Sequence, residues 1–578
     1  MNNTKNQKEF LLQVGEKGVV EFSDVSYEGL GVCKVNAIDL KGTYYENYPM
    51  FVEGALYNEK GIVEITKINK TFANAKLVKL FNDSYSKYRI SPVCPHYIDC
   101  GGCDIMHMNY TGQLVFKRKI VKDAFERIAL LKDVDVLNTI GMERPNYYRN
   151  KVQMPVASRY GKAVVGFYKK NTHDVFPITK CYIQDEKSCE MANFIKNLLN
   201  EFKVQAYDEK FKANNKDGAI RHIVIKLSKL TNKVMVILVA TSNTLPYKDE
   251  IIKKLISRYD NISSVVLNVN KLATPNVLTN ESIILYGDDY LEEELCGLKF
   301  KIGITSFFQV NNEQTEKLYN KVIELGYIKK DDCVIDAYCG IGTISLMLAK
   351  HAKHVYGVEV VEEAIKNAKD NAKLNNIKNV TFEAGLAEEV VKKWKDKANV
   401  LVVDPPRKGI DESLINTILN TNFEKIVYVS CNPTTLARDV RMLSEKYKVK
   451  VIQPVDMFPH THHVETIVLL SHKSNNAKVK INLNFDNEKG KKLMKKVVEN
   501  VDARKEPESA SYPEIKEYIL NKYNVKVSSL YIAQTKAKYG IIERECYNKP
   551  KSENSRQPKC TKEKEEMIVD ALKHFKMI

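Results

Sequence analysis

The spacing of apolar residues changes several times along the chain, and each change predicts a different kind of secondary structure. Between residues 11 and 80, short apolar runs such as KGVVEFSDVS and GLGVCKV are separated by glycines and charged turns. Strands this short and closely spaced predict a small β-barrel over residues 11–80. A helical pattern follows at residues 114–131, and strands and helices then mix in a central α/β domain that we expect over residues 81–300, with the alternative that part of it packs with the domain at residues 301–472.

Residues 301–472 show a regular alternation of buried strands and helices. Strand patterns such as CVIDAYCG, HVYGVEV, NVLVVDPPR and KIVYVSC are separated by helix patterns such as TISLMLAKHA. This order predicts a parallel, doubly wound sheet, in which ligands bind at the carboxyl ends of the strands. We therefore expect a functional site where the loops carrying Cys339, Asp404 and Cys431 meet.

The chain beyond residue 472 has a different pattern. Residues 473–511 are polar and rich in lysine, which predicts a linker. Residues 512–578 contain two helical patterns around a turn, with Ser528 as the expected helix cap, and predict a small basic module. Its excess of lysine favours RNA binding, although a solubilising tail has the same composition.

Charge and composition narrow the function classes. The 578 residues include 89 Lys and Arg against 72 Asp and Glu, so nucleic acid is the first partner to consider. A lysine-rich composition alone produces the same excess, so charge does not decide the matter. The absence of an apolar run of transmembrane length and the polar start predict a soluble, cytoplasmic protein. The 12 cysteines are too few for a disulfide scaffold and favour metal binding or catalysis.

A glycine loop in DAYCGIGTISL predicts a nucleotide-like ligand. Gly340 and Gly342 permit a tight turn after the strand that carries Asp336. Glu359 ends the next strand, where a carboxylate can accept hydrogen bonds from a ribose diol. The alternative, a dinucleotide enzyme, requires G-x-G-x-x-G, which is incomplete here. S-adenosylmethionine has no pyrophosphate and needs only the turn and the acidic residue, and Asp404 in DPPR adds a carboxylate at the same edge.

Cys431 ends a further strand in VSCNPTTLARDV, and its thiol is a candidate nucleophile. A buried structural cysteine is the alternative, since free cysteines are often buried. The helix start after Pro433, and Arg438 if it faces the thiol, are candidates for stabilising a thiolate. Glu465 stands just before the last strand and can serve as a base. A thiolate, a base and a methyl donor suit methylation at carbon 5 of a pyrimidine, because thiolate addition at carbon 6 makes carbon 5 nucleophilic.

Five motifs, SCNPTTLARD, DPPRKG, DAYCGIGTISL, SFFQVN and HHVETIVLL, together resemble those of the RNA uracil-5-methyltransferases of the RumA/TrmA type. The resemblance covers residues 11–472. It implies a Rossmann-like class I methyltransferase domain over residues 301–472 and an OB-like TRAM barrel at residues 11–80. It also implies that Cys431 is the nucleophile and that Glu465 removes the carbon 5 proton. The residues that it implies for S-adenosylmethionine binding are Gln309, Tyr338, Glu359 and Asp404.

A separate group of cysteines lies in CPHYIDCGGCDIMH. Cys94, Cys100 and Cys103 have the spacing of metal ligands, and with a fourth thiolate they suit either an iron–sulfur cluster or zinc. The resemblance implies a [4Fe–4S] cluster with a structural role. It also implies Cys181 as the fourth ligand, with Cys189 as the competing candidate.

The cysteine motif and the barrel make the chain resemble the ribosomal RNA enzymes of the family more than the tRNA enzyme. We therefore expect methylation of carbon 5 of a uridine in 23S rRNA. One alternative is a tRNA uracil-5-methyltransferase. Another is an iron–sulfur RNA-binding protein that has lost catalysis, against which the pair of Cys431 and Glu465 argues. No membrane and no protein partner is expected.

Overall fold

The computed structural model describes residues 9–132, 134–207, 218–271, 276–473, 512–539 and 560–575. The chain divides into two compact units, Met1–Lys478 and Val479–Ile578. In the described part of the larger unit, the strands form three seven-stranded sheets and one two-stranded sheet. The mixed α/β class that the sequence predicts is confirmed.

The first sheet has its own hydrophobic core. Its order is β1-β4-β5-β7-β6-β2, with β3 paired to β4. Buried and solvent-facing residues alternate along β4, as expected for strands with one face on a core. The strands are β1 (Phe10–Leu11), β2 (Lys17–Glu21), β3 (Asp24–Val25), β4 (Gly31–Ile38), β5 (Tyr44–Glu53), β6 (Lys60–Ile68) and β7 (Ala73–Leu80).

The second sheet lies in the central part of the chain and has the order β10-β9-β8-β11-β12-β13-β14. Every residue of β12 is buried, which agrees with its uninterrupted apolar run. Its strands are β8 (Lys151–Arg159), β9 (Lys162–Tyr168), β10 (Val175–Pro177), β11 (Ile220–Leu227), β12 (Val234–Ala240), β13 (Ile262–Val269) and β14 (Ser282–Gly287). The helices of this part are α1 (Tyr110–Arg127), α2 (Glu186–Glu201) and α3 (Lys248–Arg258).

The third sheet has the order β19-β18-β17-β20-β21-β23-β22 and is preceded by the two-stranded β15-β16 pair. The strands are β15 (Tyr290–Leu295), β16 (Leu298–Gly303), β17 (Cys333–Ala337), β18 (His354–Glu359), β19 (Val380–Ala384), β20 (Val400–Val403), β21 (Lys425–Ser430), β22 (Tyr447–Val455) and β23 (Glu465–His472). The helices are α4 (Asn312–Gly326), α5 (Thr343–Ala349), α6 (Glu362–Leu374), α7 (Ala387–Trp394), α8 (Glu412–Leu419) and α9 (Pro433–Leu443).

The third sheet departs from the fully parallel arrangement that the sequence predicts. Strands β17 to β21 are parallel, but β23 inserts between β21 and β22 and is antiparallel to both. The connection of residues 456–464 is too short for a crossover helix, so β23 must return beside β22 in the opposite direction.

Helix α1 begins four residues earlier than the apolar pattern predicts. The side chain of Asn109 caps it by accepting a hydrogen bond from Gly112 N at 2.8 Å. The helix packs against α9 of the third sheet, and the chain after it pairs with β22 at Val136 and Ile140. Residues 110–140 therefore belong to the core of the third sheet rather than to that of the second.

A buried ion pair joins α1 to the third sheet. Lys117 and Asp456 are both fully buried, with Nζ and Oδ1 2.5 Å apart. Lys117 Nζ also donates to the carbonyl oxygen of Phe458 at 3.0 Å, and the Tyr110 hydroxyl donates to Asp456 Oδ2 at 2.9 Å. Each charge is thus compensated by the other and by neutral partners, which burial requires.

The smaller unit contains three described helices, one more than the sequence predicts: α10 (Tyr512–Tyr523), α11 (Ser529–Lys538) and α12 (Lys562–His574). Ile515, Ile532 and Ile568, one from each helix, are fully buried in their shared core. Ser528 Oγ accepts a hydrogen bond from Tyr531 N at 3.3 Å, in the predicted cap position. The predicted linker lies outside the described residues apart from residue 473. Among the described helices, none is both long and apolar enough to span a membrane.

We expect Lys117→Met to lower the free energy of unfolding by about 3–5 kcal/mol, because Asp456 would stay buried without its counter-charge. The single tryptophan, Trp394, is buried in the same core, so denaturant unfolding followed by its fluorescence measures the change. Lys119→Met is the matched control: Lys119 lies on the same helix but is 42% exposed, and its loss should cost about 1 kcal/mol or less. Adding Asp456→Asn to Lys117→Met should recover part of the stability. Equal stability of Lys117→Met and wild type would contradict this account.

Candidate active site

A cavity of about 730 Å³ lies at the carboxyl ends of the parallel strands of the third sheet. Its wall is built from the loops that follow β17, β18, β20 and β21, together with the loop before α4 and the start of β23. The six residues that the sequence predicts for cofactor binding and catalysis all line it: Gln309, Tyr338, Glu359, Asp404, Cys431 and Glu465.

The glycine loop after β17 depends on unusual backbone conformations. Tyr338 has φ +70°, which is uncommon for a residue with a side chain and is often found at functional sites. Gly342 has φ +84°, and a Cβ there would lie 3.1 Å from Phe382 Cζ, so a larger residue would be strained. Glu359 Oε2 accepts a hydrogen bond from Gly340 N at 3.3 Å, which joins the glycine loop to the end of β18.

Asp336 does not line the cavity, although the sequence places it beside the predicted ligand. Its carboxyl is fully buried within β17 and accepts a hydrogen bond from Ser345 Oγ at 2.5 Å. Burial raises its pKa to about 7. Asp336 therefore supports the glycine loop from behind rather than facing a ligand.

The DPPRKG loop after β20 is held by a carboxylate behind it. Asp439 Oδ2 accepts hydrogen bonds from Ile410 N at 2.8 Å and from the Tyr428 hydroxyl at 2.7 Å. Gly409 has φ +83°, and a Cβ there would lie 2.4 Å from the same oxygen. Only glycine lets the loop approach Asp439 this closely, and the approach fixes the backbone beyond Asp404.

The register of β21 and β23 places Cys431 beside Glu465. Ser430 pairs with Thr466 across the antiparallel ladder, so Cys431 and Glu465 are the next residues facing each other. Directly opposite residues have Cβ atoms about 4.5–5.5 Å apart. Glu465 is 4% exposed, whereas Cys431 is only partly buried and remains accessible from the cavity.

Burial governs the electrostatics of the cavity. Burial raises the pKa of Asp404 to about 7, and burial together with the charge of Asp404 raises the pKa of Glu465 to about 8. Burial and these two carboxylates raise the pKa of the Cys431 thiol to about 11, while Arg407 acts in the opposite direction. The two carboxyls interact closely and share protons as a pair near neutral pH.

Arg438 and the start of α9 are the candidates that the sequence offers for stabilising a Cys431 thiolate. The Arg438 guanidinium lies 2.7 Å from Asp439 Oδ1 and donates to the carbonyl oxygen of Lys408 at 2.9 Å, so its charge is already paired. At the start of α9, the side chain of Asn432 caps the helix by accepting from Thr434 N at 3.0 Å. Arg407 is the cation that lowers the pKa of the thiol. Its position directly after Asp404-Pro405-Pro406 is the sequence feature that could have identified it.

The cavity is also lined by side chains that sequence reasoning did not select, among them His463 and Phe307. His463 lies 3.5 Å from Arg407 through Nε2 and Nη2, and burial lowers its pKa to about 4, so the ring is neutral. Phe307 is 76% exposed, which is unusual for an aromatic ring. Both stand in motifs already quoted, HHVETIVLL and SFFQVN, but nothing in their spacing predicted that they face the cavity.

Gln309 lies in the loop just before Asn311, whose side chain caps α4 by accepting from Gln314 N at 3.3 Å. The amide of Asn150 donates to the carbonyl oxygen of Gln309 at 3.0 Å. Lys226 is almost completely buried and donates to the carbonyl oxygens of residues 303 and 304 at 2.9 Å and 2.8 Å, and burial lowers its pKa to about 7. The second sheet therefore anchors the loop that carries Gln309 into the cavity.

The cysteines of the separate motif also meet at one place. Cys94, Cys100, Cys103 and Cys181 line a small cavity of about 60 Å³, while Cys189 is buried in the core of the second sheet instead. Gly102 N donates to Cys100 Sγ at 3.4 Å, and burial with the neighbouring thiols raises the pKa of Cys103 well above its usual range. Four converging thiols suit a metal cluster as a donor set. Within the described ranges, no group of three potential ligands already has metal-binding geometry.

The cysteine motif touches the loop that leads to Glu465. The backbone N–H groups of Asp104 and Ile105 both donate to the carbonyl oxygen of His460, at 3.0 Å and 3.2 Å. Asp104 Oδ2 lies 2.8 Å from His462 Nδ1. The cysteine motif thus supports one wall of the large cavity.

Comparisons with known proteins place similar chains among the RNA methyltransferases. The family model for tRNA (uracil-5-)-methyltransferase matches residues 110–473. Proteins named as uncharacterized RNA methyltransferases are similar, one from Bacillus cereus (43% identity, 78% of this chain, 96% of that protein) and one from Clostridium tetani (44%, 78%, 95%). Among solved structures, the tRNA (uracil-54, C5)-methyltransferase of Pyrococcus abyssi, in complex with S-adenosyl-L-homocysteine, is 27% identical with a TM-score of 0.61, over 78% of this chain and 99% of that one.

The pKa of Cys431 predicts slow alkylation near neutral pH. We expect the iodoacetamide reaction at this residue, measured peptide by peptide with mass spectrometry, to accelerate up to about pH 11. At pH 9 the Glu465 carboxyl is largely ionised, so Glu465→Gln should lower the thiol pKa and speed alkylation by about three- to tenfold. Arg407→Met should slow it.

Glu388→Gln provides the matched control for this measurement. Glu388 lines the same cavity but is not among the groups that shift the Cys431 pKa. Its substitution should leave the alkylation rate within about twofold of wild type. Equal rates for Glu465→Gln and Glu388→Gln would show that the Glu465 charge does not reach the thiol.

Proposed function

Since the chain belongs to the tRNA (uracil-5-)-methyltransferase family, we propose that it methylates carbon 5 of a uridine in RNA through a covalent adduct with Cys431. The observation that carries this proposal is the facing pair of Cys431 and Glu465 at the wall of one cavity. Methylation of an amine or a hydroxyl would need neither group, because a lone pair attacks the methyl group directly.

The two side chains supply complementary steps. The Cys431 sulfur, after losing its proton, adds to carbon 6 of the uracil, and the electron pair of the 5,6 double bond becomes available at carbon 5. Carbon 5 then takes the methyl group. Glu465 removes the remaining hydrogen from carbon 5, the double bond re-forms, and the bond between sulfur and carbon 6 breaks. The target base must leave its stack to reach the thiol.

S-adenosylmethionine supplies the methyl group when bound, and the cavity residues fit it. The close backbone approach at the glycine loop and the carboxylate of Glu359 suit a nucleoside with a ribose diol. Tyr338 and Gln309 line the same cavity, and Asp404 adds a carboxylate to its wall. We propose these four residues as the binding set.

Trapping on RNA that contains 5-fluorouridine tests the mechanism. Fluorine at carbon 5 cannot leave as a proton, so the wild type should form a stable covalent complex in the presence of S-adenosylmethionine, visible as a shifted band in denaturing gels. Cys431→Ala should form none. On ordinary uridine RNA, Glu465→Gln should accumulate a methylated adduct, while its turnover falls by at least about 100-fold.

Cys339→Ala serves as the control in the trapping experiment. Cys339 lines the same cavity, but it is 5% exposed and packs in the core. Its variant should still be trapped. An adduct with Cys431→Ala equal to that of wild type would refute the assignment of the nucleophile.

We further propose that Cys94, Cys100, Cys103 and Cys181 hold a [4Fe–4S] cluster with a structural role. Four cysteine side chains around one small cavity support the proposal, and methyl transfer itself moves no electrons. Zinc is the competing ion for four thiolates. The cluster would link the motif of Cys94, Cys100 and Cys103 to Cys181, and this motif also contacts the loop that leads to Glu465.

Anaerobic purification followed by iron and sulfide analysis distinguishes an iron–sulfur cluster from zinc. The same analysis of cysteine variants identifies the fourth ligand. We expect about four iron atoms and four sulfides for each chain, with a broad visible absorption band. Cys181→Ala should lose most of the iron, whereas the matched variant Cys189→Ala should retain it because Cys189 lies in the core of the second sheet. Zinc in place of iron, or iron loss only with Cys189→Ala, would contradict the assignment.

For the substrate, we propose 23S rRNA. The cysteine motif and the amino-terminal sheet, which we propose is a TRAM barrel, support an rRNA enzyme. The basic carboxyl-terminal helices are proposed to add electrostatic affinity for RNA. A tRNA substrate is the second candidate, because the Pyrococcus abyssi enzyme of similar structure acts on tRNA. An inactive RNA-binding protein is disfavoured by the intact pair of Cys431 and Glu465.

A further inference from the structure

A turn of the amino-terminal sheet lies against the wall of the active site. The turn joins β3 to β4 and is closed by hydrogen bonds from Ser26 N to the Leu30 carbonyl at 2.7 Å and from Gly29 N to the Ser26 carbonyl at 2.9 Å. Gly29 has φ +82°, and a Cβ there would lie 2.7 Å from Ile105 Cγ2. The turn is therefore in direct contact with the segment that follows Cys103.

Tyr27 lies in this turn and contacts a histidine that is next to the cavity wall. Its ring meets the His462 ring edge to face, with centroids 5.3 Å apart. The ring of His462 lies 4.1 Å from that of His463, which lines the cavity. Asp104 holds His462 through Nδ1 at 2.8 Å, so the contact between Tyr27 and the cavity wall has a fixed geometry.

The hydroxyl of Tyr27 differs from those of Tyr110, Tyr148 and Tyr428, which are hydrogen-bonded within the larger unit. Tyr110 donates to Asp456, Tyr148 to the Pro459 carbonyl and Tyr428 to Asp439. Tyr27 is half-buried, and its hydroxyl makes no hydrogen bond to any residue that the structure describes. A half-buried phenol without a partner is available to a ligand.

Charged groups of the active site reach this hydroxyl. Burial raises the pKa of Tyr27 to about 12, and the charge of the Cys431 thiolate raises it further while Arg407 lowers it. The phenol therefore stays protonated and can donate a hydrogen bond beside the proposed nucleophile.

We propose that Tyr27 contacts the RNA substrate: its hydroxyl donates a hydrogen bond to an oxygen of the target nucleotide, so the amino-terminal sheet completes the nucleotide site of the third sheet. This inference rests on the proposed function, because RNA is the molecule that must reach Cys431. It assigns the amino-terminal sheet a specific contact at the reacting nucleotide, beyond a general affinity for RNA.

The test separates the hydroxyl from the ring. Tyr27→Phe keeps the ring on His462 and removes only the donor, so kcat/KM for RNA should fall about tenfold, the effect of one hydrogen bond to substrate. The dissociation constant for S-adenosylhomocysteine and the unfolding midpoint should not change. Tyr27→Ala should lose more activity on RNA. Tyr45→Phe is the matched control, since its hydroxyl bonds to Asp39 within the same sheet, and it should behave as wild type.

Each outcome decides the proposal. Activity of Tyr27→Phe within twofold of wild type, or an equal loss with Tyr45→Phe, overturns it. A weaker affinity of Tyr27→Phe for S-adenosylhomocysteine also overturns it, since the residue would then act on the fold rather than on RNA. Failure of the proposed function is distinguishable, because the wild type itself would then neither methylate RNA nor form a 5-fluorouridine adduct.

Discussion

The antiparallel pairing of β21 with β23 is the contact on which the proposed chemistry depends. It brings the end of one strand and the start of another to the same edge, so that Cys431 and Glu465 face each other. If β22 occupied the place of β23, the carboxyl would lie one strand further away, about 4.8 Å more distant. The parallel strands β17, β18 and β20 deliver their loops to the same edge, which surrounds the pair with a ligand cavity.

Burial of Cys431, Glu465 and Asp404 determines which of these groups are protonated in the site. Asp404, Glu465 and the Cys431 thiol all have raised pKa values, and Arg407 is the cation that opposes them. The thiol is therefore protonated near neutral pH, and a carboxyl pair that shares protons stands beside it. A cation bound next to Asp404 would favour the charged form of both the carboxyl and the thiol. The proposed nucleophile would then be activated only when the cavity is filled.

Much of this site could be predicted from the local sequence, because strand ends and glycine loops are encoded by short runs of residues. The convergence of Glu359, Asp404 and Cys431 follows from the parallel order alone. The insertion of β23 between β21 and β22 could not be predicted in this way, because it depends on the path that residues 456–464 take between β22 and β23. Arg438 was a candidate for stabilising the thiolate, and the sequence did not show that its guanidinium pairs with Asp439. Tyr27 reaches His462 only through the packing of the turn on the cysteine motif, which no local pattern predicts.

Mapping of 5-methyluridine tests the central claim most directly. Ribosomal RNA and tRNA would be compared from cells that carry the gene, cells that lack it, and cells that carry only Cys431→Ala. The account predicts that at least one 5-methyluridine in 23S rRNA is present in the first cells and absent from the other two. An identical set of 5-methyluridines in all three would contradict the proposed activity, and a loss confined to tRNA would contradict the proposed substrate.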